Sequence, residues 1–420
     1  MKIKVNTTAA SLQSYIDSFY KDPNKNTRVY DFFSSSLEEG LIPKKTILKK
    51  LKKTFSDKSL SFGYNPPYGE EIIRKVIAKS YLSSKLLWRN VLITNGAQEA
   101  LYIAMEYIKQ MTGKKQLNIG VETYSYVGFR DIVERSGGRI FTIPINQNGI
   151  DINSLTSLAK HNNIDILYII PDLHNPTGIT YSLKVRKEIL KTQKKFGFYL
   201  IADVCYRDLY FNKRNKKSLK DLINEKSFIV GGFSKILSPN FRLGWIYNPK
   251  HFYHLALIKR SINLFSTTFI QTALAYFLRN GYKTLEKNVL KILEIKKNYM
   301  IYLLNYYNFQ NNYTWNNPDG SFYILLKSKS DSFLKPDFFI KKQVMVGLGK
   351  FFNPEEKKQS IRLCYSYLNC QDIKTGLARI ASTQKSKKTS DKIQLTYVDL
   401  KTFLLISFYK ILNIISPIFS

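Results

Sequence analysis

Six short runs of β-branched and apolar residues, Val91–Thr94, Leu117–Val121, Arg139–Ile143, Asp165–Ile170, Tyr199–Ala202 and Ser227–Gly231, alternate with longer amphipathic segments in the middle of the chain. Strands separated by helix-length connections cannot pair as hairpins, so the alternation predicts an α/β unit: a mostly parallel sheet with helices on both faces. Such sheets take ligands at the carboxyl ends of their strands. The polar residues that follow each run are therefore where chemistry is expected.

At 420 residues the chain exceeds one simple core. We expect an N-terminal arm over residues 1–55 that joins a smaller unit, a large unit over 56–281, and a smaller α+β unit over 282–383. In the last, a long helix (Leu285–Tyr306) precedes short strands around Ser321–Lys327 and Ile361–Tyr367. Residues 384–420 read as a basic linker and an apolar tail. Asp399, Lys401, Lys410 and Pro417 interrupt that tail, and a spanning helix needs about 20 mainly apolar residues. Packing on the body, or a dispensable extension, is favoured over contact with a membrane surface. The first eight residues lack the apolar stretch of a signal peptide, so a cytoplasmic location is expected. Cys205, Cys364 and Cys370 are too far apart for a zinc pattern or a disulfide framework, and the close pair His251 and His254 has no further ligand nearby.

The formal charge of +34 admits nucleic acid, an anionic surface or an acidic substrate as partner. The densest basic run, Lys44, Lys45, Lys49, Lys50, Lys52, Lys53 and Lys58, surrounds Ile47, Leu48, Leu51 and Phe55 at helical spacing. It reads as the solvated face of an amphipathic helix, and nucleic acid is not favoured as a partner.

Four features stand at predicted strand ends. Asn95-Gly-Ala-Gln-Glu99 opens a helix, where free backbone N–H groups and a close-approach Gly96 form either an anion site or a plain turn. Pro171-Asp-Leu-His-Asn-Pro-Thr-Gly178 is an irregular run with a turn signal. Asp203 lies just past an apolar strand, three residues before Tyr206. A carboxylate there needs a cation beside it, unless it merely caps a helix. Lys235 follows another apolar strand, where partial desolvation favours the neutral amine that a Schiff base requires, and Arg242 follows in a loop. An anion cradle, an acceptor asparagine, an acid, a lysine and an arginine together are the fittings of a pyridoxal phosphate site.

These strings, with Tyr64-Asn-Pro-Pro-Tyr-Gly69, Ser125-Tyr126, Phe233-Ser-Lys235-Ile-Leu-Ser-Pro239 and Ile361-Arg362-Leu363, resemble class I/II aminotransferases of the fold type I pyridoxal-phosphate family. The resemblance runs from about Tyr30 to Ala381 and is nearest the 2-aminoadipate and kynurenine aminotransferase group, whose body the MocR regulators share. It implies pyridoxal 5′-phosphate as cofactor and a ping-pong transfer from an amino acid donor to a 2-oxo acid acceptor. Lys235 would form the Schiff base and shuttle the proton. Asp203 would hold the pyridine nitrogen, Asn175 and Tyr206 the ring oxygen, and Tyr126 would stack on the ring. Ala97, Gln98, Ser234 and Arg242 would hold the phosphate. Arg362, with Asn175 beside it, would grip the substrate carboxylate. The resemblance also implies a homodimer in which Tyr64 reaches the neighbouring site.

Gly232, Tyr124 and Asn240 depart from the family pattern, and Ser34-Ser-Ser36 stands where relatives commonly carry glycines beside the substrate. Two other readings stay open. One is a lyase, decarboxylase or racemase reaction on the same scaffold. The other is a non-catalytic regulator that binds the cofactor or an amino acid. The regulators carry a helix-turn-helix domain ahead of this body, and the roughly thirty residues before Tyr30 are too few for one.

Overall fold

The computed structural model describes residues 7–20, 28–57, 60–82, 85–330 and 334–382. The linker and tail expected over 384–420 lie outside the described residues. In chain order the strands are β1 (Tyr30–Asp31), β2 (Val91–Thr94), β3 (Asn118–Glu122), β4 (Arg139–Ile143), β5 (Ile145–Asn146), β6 (Gly149–Ile150), β7 (Ile166–Ile169), β8 (Tyr199–Asp203), β9 (Ser227–Gly232), β10 (Gly244–Tyr247), β11 (Tyr313–Thr314), β12 (Tyr323–Ser328), β13 (Val344–Met345), β14 (Gly347–Leu348) and β15 (Ser360–Cys364).

The six apolar runs all become strands of one sheet, ordered β2-β10-β9-β8-β7-β3-β4. Every residue of β2, β7 and β9 is buried. Helices cover both faces, which is why these runs are continuous rather than alternating. The chain moves outward from β3 to β4 and then returns through β7, β8 and β9, all mutually parallel. The reversal between β3 and β7 opens a crevice at their carboxyl ends.

A seventh strand, β10, was not foreseen, because four residues two positions past Arg242 read as loop. It inserts antiparallel between β2 and β9. Its first residue must be glycine: a Cβ on Gly244 would stand 2.3 Å from the Gly96 carbonyl carbon and 2.6 Å from Ala97 N. The missing side chain lets the helix Ala97–Thr112 start directly against the sheet.

The second sheet is antiparallel, ordered β11-β12-β15-β14, and the helix Tyr282–Tyr306 leads into it. That helix begins three residues earlier than the periodicity placed it. The N-terminal segment is bound into this region. β1 pairs parallel with β13, Phe32 N donates to Met345 O at 2.8 Å, and Cys364 N donates to Phe32 O at 2.9 Å. Segment 30–36 is thus held beside β15.

The lysine-rich run is helical over Lys44–Phe55, and its apolar side is partly the expected one, since Ile47 is buried and Leu51 packs against the core. Ile47 and Thr54 are buried, whereas Leu48 and Phe55 are exposed. Phe55 instead meets Phe62 and Phe269, with ring centroids 5.9 and 5.3 Å away. Among the described residues no helix is long and apolar enough to cross a membrane, and no cluster of His, Cys, Asp or Glu suits a metal ion.

Gly376, on the helix Cys370–Ala381, lies against Phe32, where a Cβ would come 2.3 Å from the ring. Gly376→Ala is expected to cost about 1–3 kcal/mol in denaturant unfolding, the usual range for overpacking. It should also raise KM, because Phe32 precedes the residues that hold the site. Unchanged values of both would show that segment 30–36 is not set by this contact.

Candidate active site

Most of the expected site residues sit at or shortly beyond strand ends of the large sheet; Arg362 stands mid-strand on β15, and Tyr64 lies apart. At the end of β8, Asp203 is buried. Its Oδ1 accepts the Cys205 N–H at 3.0 Å and its Oδ2 accepts the Tyr168 hydroxyl at 3.2 Å. The cation expected beside it is not there: among the described residues Asp203 makes no ion pair. Burial pushes its pKa up, and the distant pull of Lys235 offsets only part of this.

Lys235 lies three residues past β9, half-buried, with its Nζ donating to the Ser35 carbonyl at 2.9 Å and 5.5 Å from the Tyr206 ring centroid. Burial lowers its pKa, as does the Arg362 charge, against the opposing effect of Cys205. A lowered pKa raises the share of neutral, nucleophilic amine.

Arg362, on β15, is buried between the rings of Tyr323, Phe352 and Phe33, at 4.3, 4.7 and 5.2 Å. Nη1 donates to Asn175 Oδ1 at 3.0 Å and Nη2 to the Phe33 carbonyl at 2.6 Å, while Nε is buried without a hydrogen-bond partner. A guanidinium held only by neutral oxygens remains free to take a carboxylate.

At the β2 exit, Gly96 adopts φ 90° and the helix Ala97–Thr112 presents its first N–H groups. The Arg242 guanidinium lies over Gly96, with Nη2 donating to Asn95 O at 2.9 Å. Gly232 adjoins the same corner, where a Cβ would stand 3.3 Å from Leu243 O and 3.8 Å from Ala97 N. Ser234 follows in the same turn. Tyr126 closes the crevice from the β3 exit, and Gly128 makes room for it, since a Cβ there would stand 2.6 Å from the Tyr126 ring. Gln98 Nε2 ties down the Gly128 carbonyl at 2.8 Å.

The loop that carries Asn175 is anchored from below. Asp172 is fully buried, and although burial opposes ionisation, Arg186 and Arg207 hold its carboxyl at about 2. Tyr64 is 87% exposed, its ring edge-on to Phe265, and does not enter this chain's own site.

Two side chains and two backbone carbonyls escaped the sequence reading. Tyr323 places its hydroxyl 2.5 Å from that of Tyr206 while its ring faces Arg362. Tyr168 supports Asp203 from mid-strand, where a buried phenol was the available signal. The carbonyls of Phe33 and Ser35 act through the backbone and leave no trace in residue type.

The sequence pattern of class I and II aminotransferases matches residues 34–380. The chain belongs to that family. Its relatives include an uncharacterized HTH-type transcriptional regulator, YisV, of Bacillus subtilis, 30% identical over 360 residues that cover 84% of this chain and 73% of that protein. They also include the 2-aminoadipate transaminase of Thermus thermophilus, 26% identical over 358 residues, covering 82% and 87%. Among solved structures, an archaeal alanine:glyoxylate aminotransferase superposes with a TM-score of 0.81 at 22% identity, covering 92% of this chain and 96% of that one. The fold is fold type I of the pyridoxal-phosphate enzymes, and pyridoxal 5′-phosphate is the family's cofactor.

The residues present fit that group. A buried carboxylate without a cation suits a protonated pyridine nitrogen, and helix N–H groups beside an arginine suit a phosphate.

Asp203 also yields a stability test. Its folded pKa lies above the unfolded value, so ionisation disfavours the cofactor-free fold, and stability falls as pH rises from the unfolded pKa through the folded one. Asp203→Asn removes the charge, so it should raise the melting temperature of cofactor-free protein at neutral pH, by less as the pH is lowered. It should weaken cofactor retention at the same time. A variant less stable than its parent at neutral pH would contradict this account.

Proposed function

We propose that the protein is a pyridoxal-phosphate-dependent aminotransferase that moves an amino group from an amino acid to a 2-oxo acid by a ping-pong cycle. The observation that carries this reading is a lysine and a carboxylate at the exits of the adjacent parallel strands β9 and β8, facing one crevice and not paired with each other. Such separated charges are costly unless a ligand with a matching charge pattern comes between them.

When bound, the cofactor supplies an aldehyde carbon that takes up amino groups and a ring that withdraws electrons from the substrate α-carbon. Lys235 carries it through Nζ and afterwards moves the proton at the α-carbon. Asp203 holds the ring nitrogen protonated, Asn175 and Tyr206 bond the ring oxygen, and Tyr126 covers a ring face. Ala97, Gln98, Ser234 and Arg242 hold the phosphate. Arg362 grips the α-carboxylate. One grip serves donor and acceptor in turn, which is the structural argument for ping-pong order.

We further propose a homodimer. Tyr64, Phe62, Tyr253, Leu257 and Leu264 are all exposed, and a cleft of about 360 Å³ runs between Tyr64–Tyr68 and the helix Phe252–Asn263. Contiguous apolar exposure of this kind marks an interface, and a second copy would bring Tyr64 to its neighbour's phosphate.

In the test, an amino acid alone should shift the visible band of the loaded protein, and a 2-oxo acid alone should restore it. Lys235→Ala should abolish both steps in turnover. A band that shifts without reversal would favour a lyase or decarboxylase, and binding without turnover would favour the regulatory reading that the Bacillus relative supports. Arg362→Lys should raise KM for donor and acceptor alike, by about 10–100-fold, since a charge-assisted hydrogen bond contributes roughly 1.5–3 kcal/mol.

A further inference from the structure

Tyr323 opens β12, pairs with Cys364 of β15 and is fully buried. Two groups meet on it: its ring faces the Arg362 guanidinium at 4.3 Å, and its hydroxyl lies 2.5 Å from the Tyr206 hydroxyl. Tyr323 thus joins Arg362, the residue assigned to the substrate carboxylate, to Tyr206, one of the two assigned to the cofactor's ring oxygen.

We infer that Tyr323 is a positioning residue that couples these two ends: its ring seats Arg362, and its hydroxyl strengthens the hydrogen bond from Tyr206 to the cofactor. This rests on the aminotransferase reading above. A phenylalanine would fill the same volume and keep the same ring under Arg362, so a hydroxyl in a fully buried position has to be explained by its bonds.

Proton counting gives the direction of the chain. Tyr206 has one proton, which it can give to Tyr323 or to the cofactor's oxygen, but not to both. Tyr323 likewise has one proton, and the Tyr206 oxygen is the acceptor in reach. An anionic ring oxygen outcompetes a neutral phenol for the Tyr206 proton. Once Tyr206 donates there, its own oxygen is free to accept, and the bonds align from Tyr323 through Tyr206 to the cofactor. Aligned hydrogen bonds polarise one another, so each donor in the row is strengthened by the one behind it.

The consequence is read at Lys235. Negative charge on the ring oxygen favours a proton on the attached lysine nitrogen. A strong Tyr206 donor draws that charge away and lowers the nitrogen's pKa. The other groups around the nitrogen are Cys205 and Asp203 at the β8 exit and Arg362 and Cys364 of β15, and none of these is altered by removing the Tyr323 hydroxyl.

The experiment compares cofactor-loaded parent, Tyr323→Phe and Tyr323→Leu, with Tyr206→Phe as reference. The visible absorption band is titrated against pH in the absence of substrate, and KM is measured for one donor and one acceptor. Tyr323→Phe should move the titration midpoint upward, in the direction of Tyr206→Phe and by less, while KM changes under twofold. Tyr323→Leu should do the same and also raise KM about thirtyfold, the scale of a desolvated cation–π contact. A Tyr323→Phe midpoint equal to the parent's would overturn the hydroxyl's role, and a Tyr323→Leu KM equal to that of Tyr323→Phe would overturn the ring's. Failure of the aminotransferase reading shows separately, as parent protein that titrates normally but does not pass nitrogen between substrates.

Discussion

Two backbone carbonyls hold the site together. Ser35 O accepts Lys235 and Phe33 O accepts Arg362, across 200 and 329 residues of sequence. Both cations sit where an unpaired charge is expensive, yet neither is given a carboxylate. A neutral carbonyl lowers the cost of burial without cancelling the charge. It is therefore exchangeable: a substrate carboxylate or a cofactor carbonyl offers a stronger partnership than the one it replaces. The fastening of segment 30–36 to β13 and β15, and the Gly376 contact behind it, keep those carbonyls in place.

Two buried carboxylates at the ends of the neighbouring strands β7 and β8 show what this arrangement is for. Asp172 is enclosed by Arg186, Arg207 and the Tyr210 hydroxyl, and its pKa falls to about 2. Its interactions are complete, and it acts as a fixed post under the loop that carries Asn175. Asp203 is also buried, but it accepts from an N–H and a phenol and forms no ion pair among the described residues, and burial raises its pKa. The same residue type is therefore a structural anchor in one place and an open valence in the other. A complete ion-pair network does not attract a ligand, whereas an open one does.

The strands were legible to within one residue at most ends, because burial on both faces leaves an unbroken apolar run that few other structures need. The chemistry-bearing side chains were legible for a related reason: in a parallel sheet, the residue after each run has to lie at the crevice. What could not be read was whatever depends on two distant segments meeting. β10 is defined by its partners β2 and β9 and by the absence of a Cβ at Gly244, not by its four residues. Tyr323 looks like any aromatic on a short strand until Arg362 and Tyr206 are placed beside it. The cation expected at Asp203 was inferred from a sound rule applied to an incomplete system. Under the proposed function the rule would hold for the loaded protein, with the ligand's own ring nitrogen as the pairing group.

The charge of +34 is set by different considerations. Lys235, Arg242 and Arg362 form no ion pair among the described residues, and they are three of 65 cations. The helix Lys44–Phe55 carries six lysines and no acid, with most of them facing water. Exposed charges of this sort add little to stability singly, but their summed field draws anions toward the surface. Such a field does not discriminate: it attracts a 2-oxo acid, a phosphate and a nucleic acid alike, and salt screens it over about 8 Å. Discrimination requires a cation that is fixed, dry and flanked by shape, and Arg362 meets that description, with three aromatic faces around its plane and two neutral oxygens at its edge. Under the proposed function the surface charge would raise the local concentration of candidate substrates, and the choice among them would fall to the rings and carbonyls around a single guanidinium.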